Sequence, residues 1–185
     1  MKFDRDQSLM LLLAAPGYRG EEAEPIQGTT RLQKLLFLIE REAGLPAAEG
    51  PDFQFTPWKF GPVSKELYDD LEKLENLGLL ESDPISAPSL TELDEYGLSF
   101  DDLMGDEESQ ARGSTEEKRY RLTPLGLQWV NRHINQRGQR EMLDKIRRIK
   151  AKYGALSLQD LLHYVYKKYP DMATASEIKA KVLRK

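Results

Sequence analysis

The 185-residue chain contains no cysteine and only two histidines, His133 and His163. The first absence excludes disulfides and thiolate metal sites. The second leaves too few imidazoles for a histidine-rich metal centre. No stretch approaches the roughly 18 apolar residues that a membrane span requires. Leu9 to Ala15 is apolar but too short, and Asp4 and Asp6 precede it where a secretion signal would carry basic residues. A glycine-rich phosphate loop is missing as well, and no serine or threonine stands in a recognisable arrangement with a base. Pro170-Asp171 followed by Glu177-Ile178-Lys179 imitates the acid and lysine pattern of a metal-dependent nuclease, but the spacing is short and the second half reads as a helix start. Asp160 and His163 share a helix face, yet one such pair supplies too few ligands for a metal. Together these absences point away from an enzyme and toward a cytoplasmic protein with no expected metal, cofactor or membrane partner.

Charged residues, in contrast, are abundant and unevenly placed. Residues 131–185 hold 14 Lys and Arg against 5 Asp and Glu, whereas residues 82–118 hold 11 acids and 2 bases. A basic C-terminal part can meet nucleic acid, the acidic part of the same chain, or a second copy of it.

Apolar spacing predicts a series of helices. Asp4 is placed to cap the first, which runs to about Ala15 before Pro16 and Gly17; Leu9 to Leu13 are apolar all round, which implies burial on more than one side. The second opens at Thr30, three residues before Gln33 as in a capping box. Its stripe is Leu32, Leu35, Leu36, Ile39 and Ala43, and Gly44 is the expected stop. Phe53 and Phe55 alternate with Gln54 as in a short strand. Trp58 and Phe60 flank Lys59, and read either as plugs for the core or as an aromatic contact surface. The third helix is expected from Pro62 or Val63 to Leu77, with proline near its start. Val63, Leu67, Leu71, Leu74 and Leu77 face inward, and Lys65, Glu66, Asp69, Asp70, Glu72, Lys73 and Glu75 outward.

Leu79 and Leu80 begin a strand whose return is Arg119 to Leu122. The acidic insertion between them is far longer than an ordinary hairpin loop and has one expected helical turn around Leu98 to Met104. Thr123 then caps, and Pro124 opens, a fourth helix bearing Trp129, Val130 and Ile134. Gly138 interrupts before a fifth helix of about residues 139–153. Met142, Leu143, Ile146 and Ile149 point inward on it, and Arg140, Lys145, Arg147, Arg148, Lys150 and Lys152 outward. Ser157 caps a sixth helix with Leu158, Leu161, Leu162, Val165 and Tyr169 inward. Thr174 and Glu177 have capping-box spacing for a short terminal helix.

Helix, strand, return strand, helix is the order of a winged helix. The expected fold is mainly α, a winged-helix core with a small β-hairpin wing and a C-terminal helical extension. Residues 1–137 form the winged-helix domain, with the acidic insertion at about 82–118, and residues 138–185 the basic extension. Folds of this kind bind macromolecules. Base readout uses Arg, Lys, Asn or Gln, but the outer face of the third helix is mostly acidic. The link between the second and third helices is also much longer than the three or four residues of a helix-turn-helix. Two surfaces therefore compete. Asp69, Asp70 and Glu72, with Tyr68 and Trp58 as aromatic anchors, suit a basic protein partner. Lys65, Lys73, Arg140, Arg147, Arg148 and Lys152 suit the phosphates of nucleic acid.

The stretch from Thr29 to Leu80, with RLQKLLFLIE and then PWKFGPVSKELYDDLEKLENLGLL, resembles the Panacea (SocA-like) antitoxin-associated domains and related uncharacterised winged-helix proteins. YRLTPLG is similar to the junction between wing and helix in many winged-helix regulators. The resemblance spans roughly residues 29–80 and 119–130; the acidic insertion and the basic helical C-terminus depart from it. It implies a non-enzymatic binding module in an antitoxin, adaptor or regulatory role, and it carries no catalytic residues. The expectation is thus a regulatory module that binds another protein, such as a toxin or other defence component. The alternative is a DNA-binding transcriptional regulator, and a homodimer is a further expected assembly.

Overall fold

The computed structural model describes residues 4–43, 52–85, 118–133 and 137–184. Residues 86–117 of the acidic insertion, the expected turn around Leu98 to Met104, Gly44 and Ile134 lie outside the described residues. The chain is mainly helical with a small antiparallel sheet. In order, its elements are α1 (Arg5–Ala14), β1 (Ile26–Gln27), α2 (Thr29–Glu42), β2 (Thr56–Trp58), β3 (Gly61–Val63), α3 (Glu66–Asn76), β4 (Leu80–Pro84) and β5 (Lys118–Leu122). They are followed by α4 (Pro124–His133), α5 (Arg137–Gly154), α6 (Leu158–Lys168), a 3-10 turn (Pro170–Ala173) and α7 (Lys179–Val182).

Two central helices organise the core. Asp4 caps α1 by accepting from the Gln7 N–H at 2.7 Å, which satisfies a donor that a helix start would otherwise leave open. Leu9 to Leu13 are all buried, as an all-apolar run requires. In α2, Leu32, Leu35, Leu36, Phe37, Leu38 and Ile39 are buried together. α5 packs against both and α6 against α2, and Met142, Leu143, Ile146, Ile149, Leu161, Leu162 and Val165 join the same hydrophobic cluster. The basic C-terminal part thus shares its core with the N-terminal helices. At roughly 1.5–3 kcal/mol per fully buried aliphatic side chain, that shared cluster is the main adhesive of the fold.

A three-stranded antiparallel sheet, ordered β1-β5-β4, closes one side. The pairing runs from Leu80 opposite Leu122 to Pro84 opposite Lys118. Thr29 Oγ1 and the Tyr120 hydroxyl, 2.7 Å apart, tie the start of α2 to β5. Thr123 joins sheet to helix. Its hydroxyl donates to the Gly78 carbonyl at 2.6 Å and accepts from the Gly126 N–H at 3.1 Å. Gly126 has no room for a side chain, since a Cβ there would lie 2.0 Å from the Leu79 carbonyl oxygen.

Several local expectations are corrected. Gly61-Pro62-Val63 does not open α3; it forms β3, paired with Thr56–Trp58 through a turn at Lys59 and Phe60. Gly61 supplies the positive φ of 86° that this hairpin needs. Pro57 and Pro62 stand opposite each other, so neither offers a donor and the ladder stays short. Phe53 and Phe55 are buried but lie in irregular chain before β2. α3 starts at Glu66, and Ser64 Oγ accepts from the Leu67 N–H at 3.2 Å. The Thr30 and Gln33 capping box does not form; Gly28 precedes α2 and Gln33 turns inward. Nor does the Thr174 and Glu177 box. Thr174 Oγ1 donates to the Asp171 carbonyl, while the Glu177 N–H donates to the Lys59 carbonyl, and α7 begins only at Lys179. The inward stripe of α3 stops at Leu74, because Leu77 follows the helix and is 56% exposed.

Candidate functional site

The outer face of α3 follows from its inner one. Leu67, Leu71 and Leu74 are buried at helical spacing, so the opposite side is presented outward. Asp69 and Glu72 lie on that side, exposed, with Lys65 exposed just ahead of the first turn and Tyr68 half-buried at the margin. Two residues assigned to this surface from sequence are taken up by α1. Asp70 is buried at 5% exposure, and Arg5 of α1 donates to both its carboxylate oxygens, at 2.7 and 3.2 Å. Asp70 sits beside Leu71 and three residues after Leu67, which places it at the edge of the apolar stripe facing α1. Lys73 is exposed but ion-paired with Asp6, whose carboxylate raises the lysine pKa through their hydrogen bond. Its charge is already partnered within the chain.

What aims α3 is a pair of adjacent α2 side chains, Gln33, which sequence spacing had assigned to a helix cap, and Lys34, to which it had assigned no role. Gln33 Nε2 donates to the Ser64 carbonyl at 3.1 Å, and Gln33 Oε1 accepts from the Ser64 N–H at 3.0 Å. Lys34 is fully buried and donates to the Pro62 carbonyl at 2.9 Å. Its burial pushes the ammonium pKa down to about 7, because a desolvated charge is disfavoured. These adjacent side chains hold the backbone of residues 62–64 that leads into α3. The readable signal was Phe37 and Leu38, buried one turn later at i+4, which extend the apolar surface of α2 to the side that carries Gln33 and Lys34.

Trp58 is half-buried on β2, which packs against the Pro170–Ala173 turn. Its Nε1 is buried and has no acceptor among the described residues. Phe60, on the same hairpin, is buried as a core plug. Lys59 carries an ion pair to Glu177 at 3.6 Å. The aromatic hairpin is therefore held by the C-terminal segment.

The outer side of α5 is basic. Arg140, Arg147, Arg148 and Lys152 are exposed on it. Part of this charge is engaged internally, with Arg147 3.5 Å from Asp144, and the Lys152 ammonium 4.7 Å from the Tyr153 ring centre. Lys150, expected on the same face, is buried instead and donates to the carbonyls of Ala15 and Glu24 at 2.7 and 2.8 Å. The β4–β5 strands are charge-balanced, since Arg121 meets Glu81 at 3.0 Å and Asp83 at 3.1 Å.

A second polar cluster surrounds Glu42 at the end of α2. The hydroxyls of Tyr153, Tyr164 and Tyr169 and the Lys168 ammonium all donate to its carboxylate, at 2.6–2.9 Å. Burial opposes ionisation of Glu42, but these donors outweigh it and hold the carboxyl below its ordinary pKa. The cluster ties α2 to α5 and α6. His163, paired in sequence with Asp160, places Nδ1 2.9 Å from the Val182 carbonyl, and Asp160 accepts from Ser157. Among the described residues no three His, Cys, Asp or Glu side chains converge as a metal site would require, and no helix is long and apolar enough to cross a membrane.

The chain matches no family model, no curated protein and no solved structure.

Proposed function

We propose that this protein is a non-enzymatic winged-helix module that acts by binding another protein through the outer face of α3. The winged-helix reading is supported by the element order from α1 to β5 and by the β1-β5-β4 strand order, in which the antiparallel pair β4 and β5 follows α3. In such a frame α3 occupies the position of a recognition helix. The observation that carries the proposal is the charge of this face. Asp69 and Glu72 are exposed there, and Lys73, which could have answered phosphate, is bound to Asp6. Acids so placed repel a phosphate backbone and attract a basic surface. The partner class is a basic protein, in an antitoxin-like or adaptor role.

A second reading, DNA binding by a regulator, is favoured by the exposed Arg140, Arg147, Arg148 and Lys152 of α5. Contacts from such a surface would go largely to phosphate and fall steeply with salt. A titration against duplex DNA at about 150 mM salt separates the two. The protein-binding reading expects weak, sequence-independent association, reduced by Arg147→Ala and Arg148→Ala and unaffected by Lys65→Ala. Tight, sequence-selective binding that is lost on Lys65→Ala would overturn it.

A further inference from the structure

The end of α3 and the start of α4 are locked together. The Thr123 N–H donates to the Leu79 carbonyl at 3.1 Å, and the Thr123 hydroxyl donates to the Gly78 carbonyl at 2.6 Å. Gly78 ends α3 at a positive φ of 67°, and a Cβ there would meet nothing within 4 Å. In this glycine cap the Leu79 N–H donates to the Leu74 carbonyl at 3.0 Å, and the Leu79 side chain packs against the core, as such caps favour. Leu77 takes no part in that packing and is 56% exposed. Across the junction Leu125 is 53% exposed, with Pro124 exposed beside it. A single exposed leucine is ordinary. Here two of the four large hydrophobic side chains exposed among the described residues stand within two residues of one locked contact.

The charge beside this patch selects its partner. Asp70 pairs with Arg5, and Lys73 with Asp6. With those pairs set aside, residues 65–76 carry Glu66, Asp69, Glu72 and Glu75 against Lys65, so α3 keeps a net negative charge. The exposed row Asp69, Glu72 and Asn76, at helical spacing, leads down α3 to Leu77. A second copy docked face to face would bring the same acids to the same place and be repelled. We propose that the Leu77 and Leu125 junction is the apolar anchor point for a basic amphipathic segment of another protein, whose apolar side chains cover the two leucines while its lysines or arginines face the acids of α3. This rests on the reading of α3 as a protein-binding face and adds to it the contact that supplies affinity. Because Thr123 fixes the backbone on both sides of the junction, little ordering is left for binding to impose.

Titration of the full chain into a labelled amphipathic peptide of leucine and lysine, read by fluorescence anisotropy, tests the assignment. One comparison peptide has glutamate for each lysine, and the other has alanine for each leucine. The expected result is saturation at one site, with both comparison peptides at least about tenfold weaker. Leu77→Ser and Leu125→Ser should each weaken binding about tenfold and leave the thermal melt in place, since both positions are exposed. Leu183→Ser and Tyr18→Ser, at the other exposed apolar positions, should leave binding unchanged. Asp69→Lys combined with Glu72→Lys should weaken it and reduce its dependence on salt. Weakening by the acid reversal but by neither leucine substitution would overturn the anchor point and leave the α3 face standing. Binding indifferent to the acid reversal would overturn both, and absence of saturable binding would overturn the anchor point. A wild-type dimer in sedimentation that dissociates on Leu77→Ser would assign the patch to a second copy and overturn the proposal as well.

Discussion

Replacing Asp70 distinguishes a residue that serves the fold from one that serves the surface. Arg5 meets Asp70 as a two-pronged fork, Nε to Oδ2 at 2.7 Å and Nη2 to Oδ1 at 3.2 Å. The Asp70 side chain is 7% exposed and that of Arg5 32%. Removing one member of a fully buried pair costs about 3–5 kcal/mol, whereas an exposed pair is worth about 0–1 kcal/mol. Arg5 keeps about a third of its surface in water and rehydrates when its partner is lost. Asp70→Ala should therefore cost about 1–3 kcal/mol. Asp70→Asn, which keeps an acceptor oxygen, should cost less. Arg5→Met leaves the more deeply buried carboxylate stranded, so it should lie at the upper end. Urea unfolding of both single variants and the double variant measures the coupling, which we expect at about 1–2 kcal/mol. Urea is preferred to guanidinium chloride because the salt would screen the pair. A coupling below about 0.3 kcal/mol, within the scatter of independent sites, would refute the assignment and return Asp70 to the contact surface of α3.

Leu71 is 5% exposed, and Leu71→Ala should cost about 2–5 kcal/mol through lost burial and a residual cavity; an unshifted thermal melt would show that the inward face of α3 is misassigned. Gly126→Ala forces a Cβ to 2.0 Å from the Leu79 carbonyl oxygen, a backbone atom that cannot swing aside. A loss of about 1–3 kcal/mol is expected from such crowding, and a wild-type melting temperature would refute the close approach. Burial lowers the pKa of Lys34 to about 7 and that of Lys150 to about 8, from an ordinary 10.5. Between those values and 10.5 the unfolded chain binds more protons than the folded one, so stability should rise with pH from about 7 and the penalty should be complete below it. Lys34→Met should flatten the part of that rise that begins near pH 7, leaving the part from about pH 8; urea midpoints that fall between pH 7 and 9 would contradict the sign.

Much of the helical architecture was legible in the sequence, because helix formation on an apolar stripe is a local property. Leu9 to Leu13, the α2 leucines and Met142, Leu143, Ile146 and Ile149 are buried as their spacing predicts. Three caps, at Asp4, Thr123 and Ser157, form as expected, since each concerns only the next few residues. What spacing could not settle was which polar side chains inside or beside a stripe would find partners from distant elements. Gln33 matched a local motif but bonds to Ser64, 31 residues away. Lys150 matched the basic outer face of α5 but reaches Ala15, 135 residues away. Asp70 matched the acidic face of α3 but meets Arg5, 65 residues away.

The sequence by itself therefore determined the mainly helical class, most helix starts, the two-stranded return around the acidic insertion, and the opposed charges of α3 and α5. Tertiary structure alone decided that Gly61-Pro62-Val63 is a strand, that the basic C-terminal helices share the core of α1 and α2, and which charges remain outward. The physical reason is range. A cap or an apolar stripe is complete within one or two turns of helix, so it is written in consecutive residues. A desolvated ammonium or carboxylate is tolerable only where another element brings it a partner, and that element is known only once the chain has folded.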